Sequence, residues 1–547
     1  MWRTLLLLVI VAFLYDGGTA NAQQLTLPPL TLSPSESGAL SSGARVFVRE
    51  FRFQGNTIFS SMELATLTAP YVNRELTSEQ LEEVRRLLTA FYVEFGYVNS
   101  GAILPDQDVR DGIVTFQIVE GVLSDIKIRG KDRRLRDSYI TTRLRRWAGP
   151  PLRINELKEG LLLLRQDPNV KQINAELRPG TKPGESYLDV YLQEEQPFHL
   201  GLQVDNHRPP SVGAEEILLI GADQNLTGNG DLVEFTYGIA HNGEDGFEFS
   251  GAEDESGSYT LPIHPSGTTI RVFGSRNDTS IIEEPFAVLG ITNTLIRYGV
   301  TLRQPVYRTA NREVALGVTF ERDHNEAFFL GQPAGDDVVP GSVNGRINTS
   351  VLRFTQEWLD RSQIQVLALR STFNVGIDAF GVTDNGTDRN AKFFSWLGQL
   401  QYVRRLFDTQ NLIILRTDGQ WTDEPLLPTE QFSVGGANSV RGYRENQIVR
   451  DCGFVSSVEG RVPILFGRGG VPVVQLAPFF DCGGAWTLES KTPSPETIYS
   501  SGIGILVTPN KHLNAQLYWG HRFTHVPNPH NNAQDLGIDF KVTFLAF

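Results

Sequence analysis

Ile296-Arg297-Tyr298-Gly299-Val300-Thr301-Leu302-Arg303 sets an apolar side chain at every second position, with arginine, glycine or threonine between. A period of two belongs to a β-strand, whose side chains point alternately to its two faces. One face of this strand is apolar and the other carries two arginines. Outward from it the pattern recurs. Val233, Phe235, Tyr237 and Ile239 alternate with Glu234, Thr236 and Gly238; Phe394, Trp396, Leu400 and Tyr402 oppose Ser395, Gln399 and Gln401; Leu513, Ala515, Leu517 and Trp519 repeat it. Clusters of Gly, Asn, Asp and Pro separate these runs from about Pro197 to Phe547. Lipid outside and water inside require such strands. A soluble β-sandwich alternates in the same way with its polar face outward. Length favours the first reading. With 16 strands the region allows about 22 residues per strand and connection, which suits tilted spanning strands with long outer loops. A soluble domain of that size would usually split.

The preceding residues differ in texture. Arg3, the apolar run from Leu5 to Leu14 and the small-residue site Ala20-Asn21-Ala22 read as an export signal peptide over residues 1–22. Residues 23–45 contain Pro28, Pro29 and Pro34 among Ser and Gly, and read as a flexible linker. No later run of 18 apolar residues occurs, which argues against a helical membrane protein. Cys452 and Cys482 are the only cysteines, so none follows the leader to be lipidated; as a pair they are consistent with one disulfide or with two free thiols. A formal charge of -14 argues against nucleic acid as a partner, because phosphate binding needs a basic footprint.

Residues 46–121 and 122–196 form two similar units, offset by about 75 residues. Phe51 and Phe53 alternate with polar residues before Gly55-Asn56, as Ile126 and Ile128 do before Gly130-Lys131. In the first unit Thr77-Ser78-Glu79-Gln80 is a capping box, followed by Leu81, Val84, Leu88, Phe91 and Phe95 on one helical face ending at Gly96. In the second, Asn155 is the expected N-cap before Leu157, Leu161 and Leu164. Val114, Phe116 and Ile118 close one unit, and Leu188, Val190 and Leu192 the other. The order β-α-α-β-β resembles the polypeptide-transport-associated (POTRA) module. The expected fold class is thus β-dominated: a 16-stranded antiparallel transmembrane β-barrel over 197–547, preceded by two α+β POTRA domains.

Two motifs sharpen this reading. Gly435-Gly436-Ala437-Asn438-Ser439-Val440-Arg441-Gly442-Tyr443 contains a VRGY signature, and Phe479-x-Asp481-x-Gly483 an F-x-D-x-G signature. Both resemble the superfamily of outer-membrane barrel-assembly and two-partner secretion proteins. The resemblance implies that the loop carrying Val440, Arg441, Gly442 and Tyr443 is the sixth extracellular one, folds back into the lumen and meets Asp481 on the wall. A guanidinium fork pairs with a carboxylate through two parallel hydrogen bonds and so fixes direction as well as distance. The alternative is a surface arginine and an unrelated strand aspartate. Asp205-Asn206, Asn225-Leu226-Thr227-Gly228-Asn229-Gly230-Asp231 and Ser258-Tyr259-Thr260-Leu261-Pro262 resemble further signatures of the two-partner secretion (TpsB, hemolysin-activator) branch. Two POTRA units fit that branch better than the assembly machinery. One departure stands out: about 23 residues after the leader are too few for a plug helix with a long tether. At the other end, Gly537, Phe540, Val542 and Phe547 resemble the C-terminal signal that barrels present to their assembly machinery, for which an ordinary terminal strand is the alternative.

Catalytic signatures are missing: there is no G-x-S-x-G, H-E-x-x-H or Walker A pattern, and no two histidines have ligand spacing such as i, i+4 on a helix. Asp384-Asn385-Gly386-Thr387-Asp388 lacks the glutamate that a Ca²⁺ loop needs at position 12, and reads as a solvated loop. Arg133, Arg134, Arg136, Arg143, Arg145 and Arg146 read as a solvated face, with lipid headgroups or an acidic partner segment as alternatives. No cofactor or metal is expected. The resemblance implies a Gram-negative outer-membrane pore with its POTRA pair in the periplasm, working as a monomer. It would export a large secreted partner polypeptide, unfolded in transit and driven by folding outside. Its other partners would be outer-membrane lipid and, during biogenesis, the barrel-assembly machinery. The rival readings are an insertase for outer-membrane proteins, an outer-membrane lipase and a solute porin.

Overall fold

The computed structural model describes residues 45–130, 133–242, 248–386, 388–407, 409–488, 491–528 and 532–546. The expected leader, nearly all of the linker, the place of any plug helix and Phe547 lie outside these residues. The chain divides into two compact units, one within 21–195 and one over 196–547.

The first unit holds two modules of one topology. In the first module the central strand Ile113–Val119 lies parallel to Glu50–Gln54 and antiparallel to Gly101–Ile103. In the second, Glu185–Glu194 lies parallel to Val122–Arg129 and antiparallel to Val170–Pro179. Each sheet is covered by a helix pair, Ser61–Thr68 with Ser78–Glu94 and Asp137–Arg145 with Ile154–Arg165. Thr77 and Gln80 form the expected capping box, and Leu81, Val84 and Leu88 are buried behind it, joined by Tyr92. Sequence reading did not place the short helix Ser61–Thr68, although Ser60 and Glu63 make a second capping box there. The N-cap of the last helix is Arg153, without a side-chain bond, and Asn155 lies inside the first turn. The expected cap at Asn155 is therefore corrected by two residues. The Ile154 N–H is already bonded to the Gly96 carbonyl at 2.9 Å, so the helix starts where that contact holds the backbone.

In the second unit 16 antiparallel strands, from Phe198–Asp205 to Ile538–Leu545, close on themselves. Leu202 pairs with Phe544 and Val204 with Val542 across the closing seam. Short turns such as 263–268, 309–311 and 362–364 lie at one end. Long loops, including 330–345, 377–393 and 423–451, lie at the other, the asymmetry of outer-membrane barrels. Asn225 and Asp231 organise one short turn, accepting from Gly230 N at 3.0 Å and Thr227 N at 2.9 Å.

The two faces of the barrel are inverted relative to a soluble core. Tyr298, Val300 and Leu302 are exposed at 53%, 46% and 46%, whereas Glu321, Asp323 and Asn325 on the neighbouring strand are buried. Phe354 and Trp358 are likewise exposed, and Thr349 and Thr355 on the opposite face are not. A sandwich buries its apolar face. A lipid-embedded cylinder buries its polar one, so the alternation belongs to a transmembrane barrel. Cys452 and Cys482 carry free thiols on neighbouring strands. Cys482 pairs with Ser456, four residues along from Cys452, and four residues of strand are about 13 Å, beyond the reach of a disulfide.

Candidate functional site: the arginine loop

Residues 423–451 connect the strands Leu412–Thr422 and Cys452–Phe466 and form the sixth connection at the long-loop end. A small ribbon, Phe432–Val434 against Ile448–Arg450, stiffens its stem. Its tip turns on glycines: Gly435, Gly436 and Gly442 have φ of 114°, 100° and 87°, a region that residues with a Cβ rarely adopt. Val440 and Tyr443 are fully buried in an apolar cluster with Phe432, Val434, Ile448, Val455, Ala485 and Ile498. This cluster draws the tip down between the strands.

Arg441 extends from that tip to the inward face of the wall. Its Nε and Nη2 donate to the two oxygens of Asp481 at 2.8 and 2.9 Å, and its backbone N–H donates to the same carboxylate at 3.1 Å. Nη1 donates to Glu459, and Nη2 also donates to the Ser457 hydroxyl at 3.1 Å. Ser457 in turn donates to Asp481 at 2.6 Å, and Arg461 to Glu459 at 2.7 Å. Two guanidinium groups thus face two carboxylates, and all three nitrogens of the Arg441 guanidinium donate. Such saturation is what a buried charge needs.

The other motif residues complete this contact. Phe479 lies under the guanidinium, with its ring centroid 3.7 Å from Cζ, and Tyr518 stands 4.7 Å away. A cation on a desolvated aromatic face gains attraction from the ring quadrupole. A Cβ on Gly483 would come within 2.6 Å of Val434 and 3.0 Å of Val440, so glycine is what lets the loop lie against this strand. Gly442 meets Gly520 on the wall: a Cβ on Gly442 would sit 2.7 Å from the Gly520 carbonyl. The Tyr443 hydroxyl lies 2.9 Å from the Tyr499 carbonyl and accepts from Thr524 N at 3.0 Å. All seven residues singled out in the two motifs therefore converge.

Sequence reading missed several partners. Glu459 and Arg461 sit two residues apart on one strand face, a pairing that the two-residue period could have revealed. Arg444, three residues beyond Arg441, forks onto Asp535 at 2.7 Å through both Nε and Nη2 and reaches Glu283 at 2.9 Å. Glu430 holds both Nη atoms of Arg353 at 3.0 and 2.9 Å. These pairs join residues far apart in the chain, and only closure of the barrel brings them together. Glu321, Asp323 and Glu430 form a compact carboxylate group. Arg353 and Arg297 already fill it, so it is an ion-pair network. Of the C-terminal residues, Gly537 adopts φ 76° as the chain enters the last strand, Phe540 pairs with Leu517, and Val542 is half exposed on the outer face.

The model for the haemolysin secretion/activation proteins ShlB/FhaC/HecB matches residues 184–507, and that for the ShlB-type POTRA domain matches residues 46–121. The outer membrane transporter CdiB of Dickeya dadantii is 24% identical over 76% of this chain and 72% of its own length. The heme/hemopexin transporter protein HuxB of Haemophilus influenzae is 21% identical, over 73% of this chain and 68% of its own. Among solved structures, CdiB from Escherichia coli superposes with a TM-score of 0.67 at 21% identity, covering 95% of this chain and 94% of that one. BamA from Haemophilus ducreyi shares the fold at a TM-score of 0.54 and 12% identity, over 92% of this chain and 100% of that one.

Proposed function

Because the chain belongs to the haemolysin secretion/activation (ShlB/FhaC/HecB) family, we propose that it is an outer-membrane pore that carries one large secreted polypeptide from the periplasm to the cell surface. The barrel spans the outer membrane and the POTRA region lies in the periplasm. The substrate is a partner protein in extended form, captured by the POTRA pair partly through main-chain pairing at a sheet edge. The protein works as a conduit and not as an enzyme, as a monomer, with folding of the partner outside as the driving force. Residues 1–22 direct export and are removed; 46–121 and 122–196 are the two capture modules, and Gly537, Phe540, Val542 and Phe547 guide insertion by the assembly machinery.

The observation that carries this reading is the Arg441 loop lying on Asp481 and Glu459 on the inner wall of the barrel. A conduit for a polypeptide needs an obstruction that can be displaced, and a long loop held on the wall by ion pairs supplies one. Arg441, Asp481, Phe479, Val440, Gly442, Tyr443 and Gly483 set the resting state of the pore. Arg441→Ala in a barrel that still assembles is expected to abolish appearance of the partner at the cell surface. Undiminished secretion would overturn the assignment.

A further inference from the structure

The barrel closes on its shortest pairing. The first and last strands share five residue pairs, Gly201 with Leu545 through Asp205 with Lys541, the shortest register between neighbouring spanning strands among the described residues. Beyond Asp205 one further backbone bond, from Asn206 N to the Phe540 carbonyl at 3.3 Å, remains, and a side chain continues the ladder. Asn206 accepts from Phe540 N at 2.8 Å and donates to the Ile538 carbonyl at 2.8 Å, taking the place of a backbone partner. Farther up, Gln534 donates to the carbonyls of Asn206 and Arg208 at 2.5 and 2.7 Å. Its remaining polar atom, Oε1, accepts the backbone N–H of Glu445 at 2.9 Å. Glu445 belongs to the arginine loop.

Gln534 therefore bonds to both sides of a junction: the first strand's exit on one side and the arginine loop on the other. It is 1% exposed, so water cannot replace these bonds while the contact persists. Its neighbour Asp535, equally buried, receives the Arg444 fork, and Asp535's own carbonyl accepts from Arg522 at 2.6 Å. Two residues later Gly537 leads into the last strand, Ile538–Leu545. The chain of contacts runs from Arg441 on the wall, through Arg444 and Glu445, to Gln534 and Asp535, and ends on Asn206 and Arg208.

We propose that Arg444 and Gln534 are positioning residues that make the arginine loop the clasp of the barrel's closing seam, so that withdrawal of the loop and loosening of the upper seam are one event. This rests on the reading of the loop as the displaceable element. Consecutive residues, Arg444 and Glu445, grip consecutive residues, Gln534 and Asp535, so the loop cannot leave without releasing both. The seam then retains its five-pair register but loses the amide bridge above it. A conduit that must widen for a polypeptide gains circumference at the pairing that is easiest to part.

Hydrogen exchange of the assembled barrel in detergent micelles tests this, read on segments 200–206, 540–545, 435–447 and, for reference, 346–376. Gln534→Ala should speed exchange at the two seam segments about tenfold or more, because it removes both bonds to the Asn206 and Arg208 carbonyls, with the reference strands unchanged. Arg444→Gln should speed exchange both in the loop and at the seam. If Arg444→Gln loosens the loop while seam amides keep wild-type rates, the coupling is refuted. If that variant does not assemble, Gln534→Ala decides alone, and wild-type seam exchange in it would equally overturn the clasp. The transport reading is judged separately by secretion from Arg441→Ala cells, so it can stand while the clasp falls.

Discussion

Asp481→Ala removes the acceptor on which the loop is hung, and its consequence can be worked out from the contacts. Asp481 is fully buried and accepts four hydrogen bonds, three from Arg441 and one from Ser457. Removing one partner of a buried ion pair costs about 3 to 5 kcal/mol, because the remaining charge is left unpaired. Here Glu459 stays on the guanidinium, so the low end, about 3 kcal/mol, is appropriate. At 1.36 kcal/mol per decade, the population with the loop released rises roughly 150-fold. The assay is hydrogen exchange of amides 435–447, joined to conductance of the purified protein in planar bilayers. Faster exchange by two orders of magnitude and a larger or more frequently open conductance are expected. Wild-type exchange with wild-type conductance would refute the claim that this ion pair holds the loop. A double variant, Arg441→Met with Asp481→Leu, sharpens the point. It strands neither charge of the pair and should melt above Asp481→Ala, although its loop is still freed.

Further outcomes follow from local packing. Gly483→Ala places a methyl within 2.6 Å of Val434 and should lower thermal stability by about 1 to 3 kcal/mol, the usual cost of overpacking, and impair secretion with it. Cys452 and Cys482 should give identical mobility on reducing and non-reducing gels, and buried Cys452 should resist maleimide until the barrel is denatured. Glu120 in the first POTRA module accepts from the Thr57 and Ile58 N–H groups at 2.7 and 2.8 Å. Partial burial acts to raise its carboxyl pKa, but the Thr57 hydroxyl and these two amides outweigh it and hold the group below its ordinary value. A carboxylate depressed on folding contributes stability above its unfolded pKa and loses it as pH falls through the folded one. The module should therefore soften in melts below about pH 4, and Glu120→Gln should flatten that dependence.

The period-two alternation, the Thr77 capping box, the 75-residue repeat and the two short motifs were all legible in the residues, because each depends on neighbours close in the chain. Alternation such as that of 296–303 fixes that one strand face is apolar, but a strand cannot say whether that face meets lipid or a core. Only the closed register, with Glu321 and Asp323 buried and Tyr298 and Val300 exposed, decides it. The same limit applies to the site. Arg441 and Asp481 could be named from their motifs, whereas Arg444 with Asp535 and Glu283, Arg353 with Glu430, and Gln534 with Asn206 could not. Those pairs lie 77 to 328 residues apart, and their meeting depends on how the wall curves and where the last strand returns to the first. Local periodicity sets the faces of each strand; closure alone determines which inward-facing charges become neighbours.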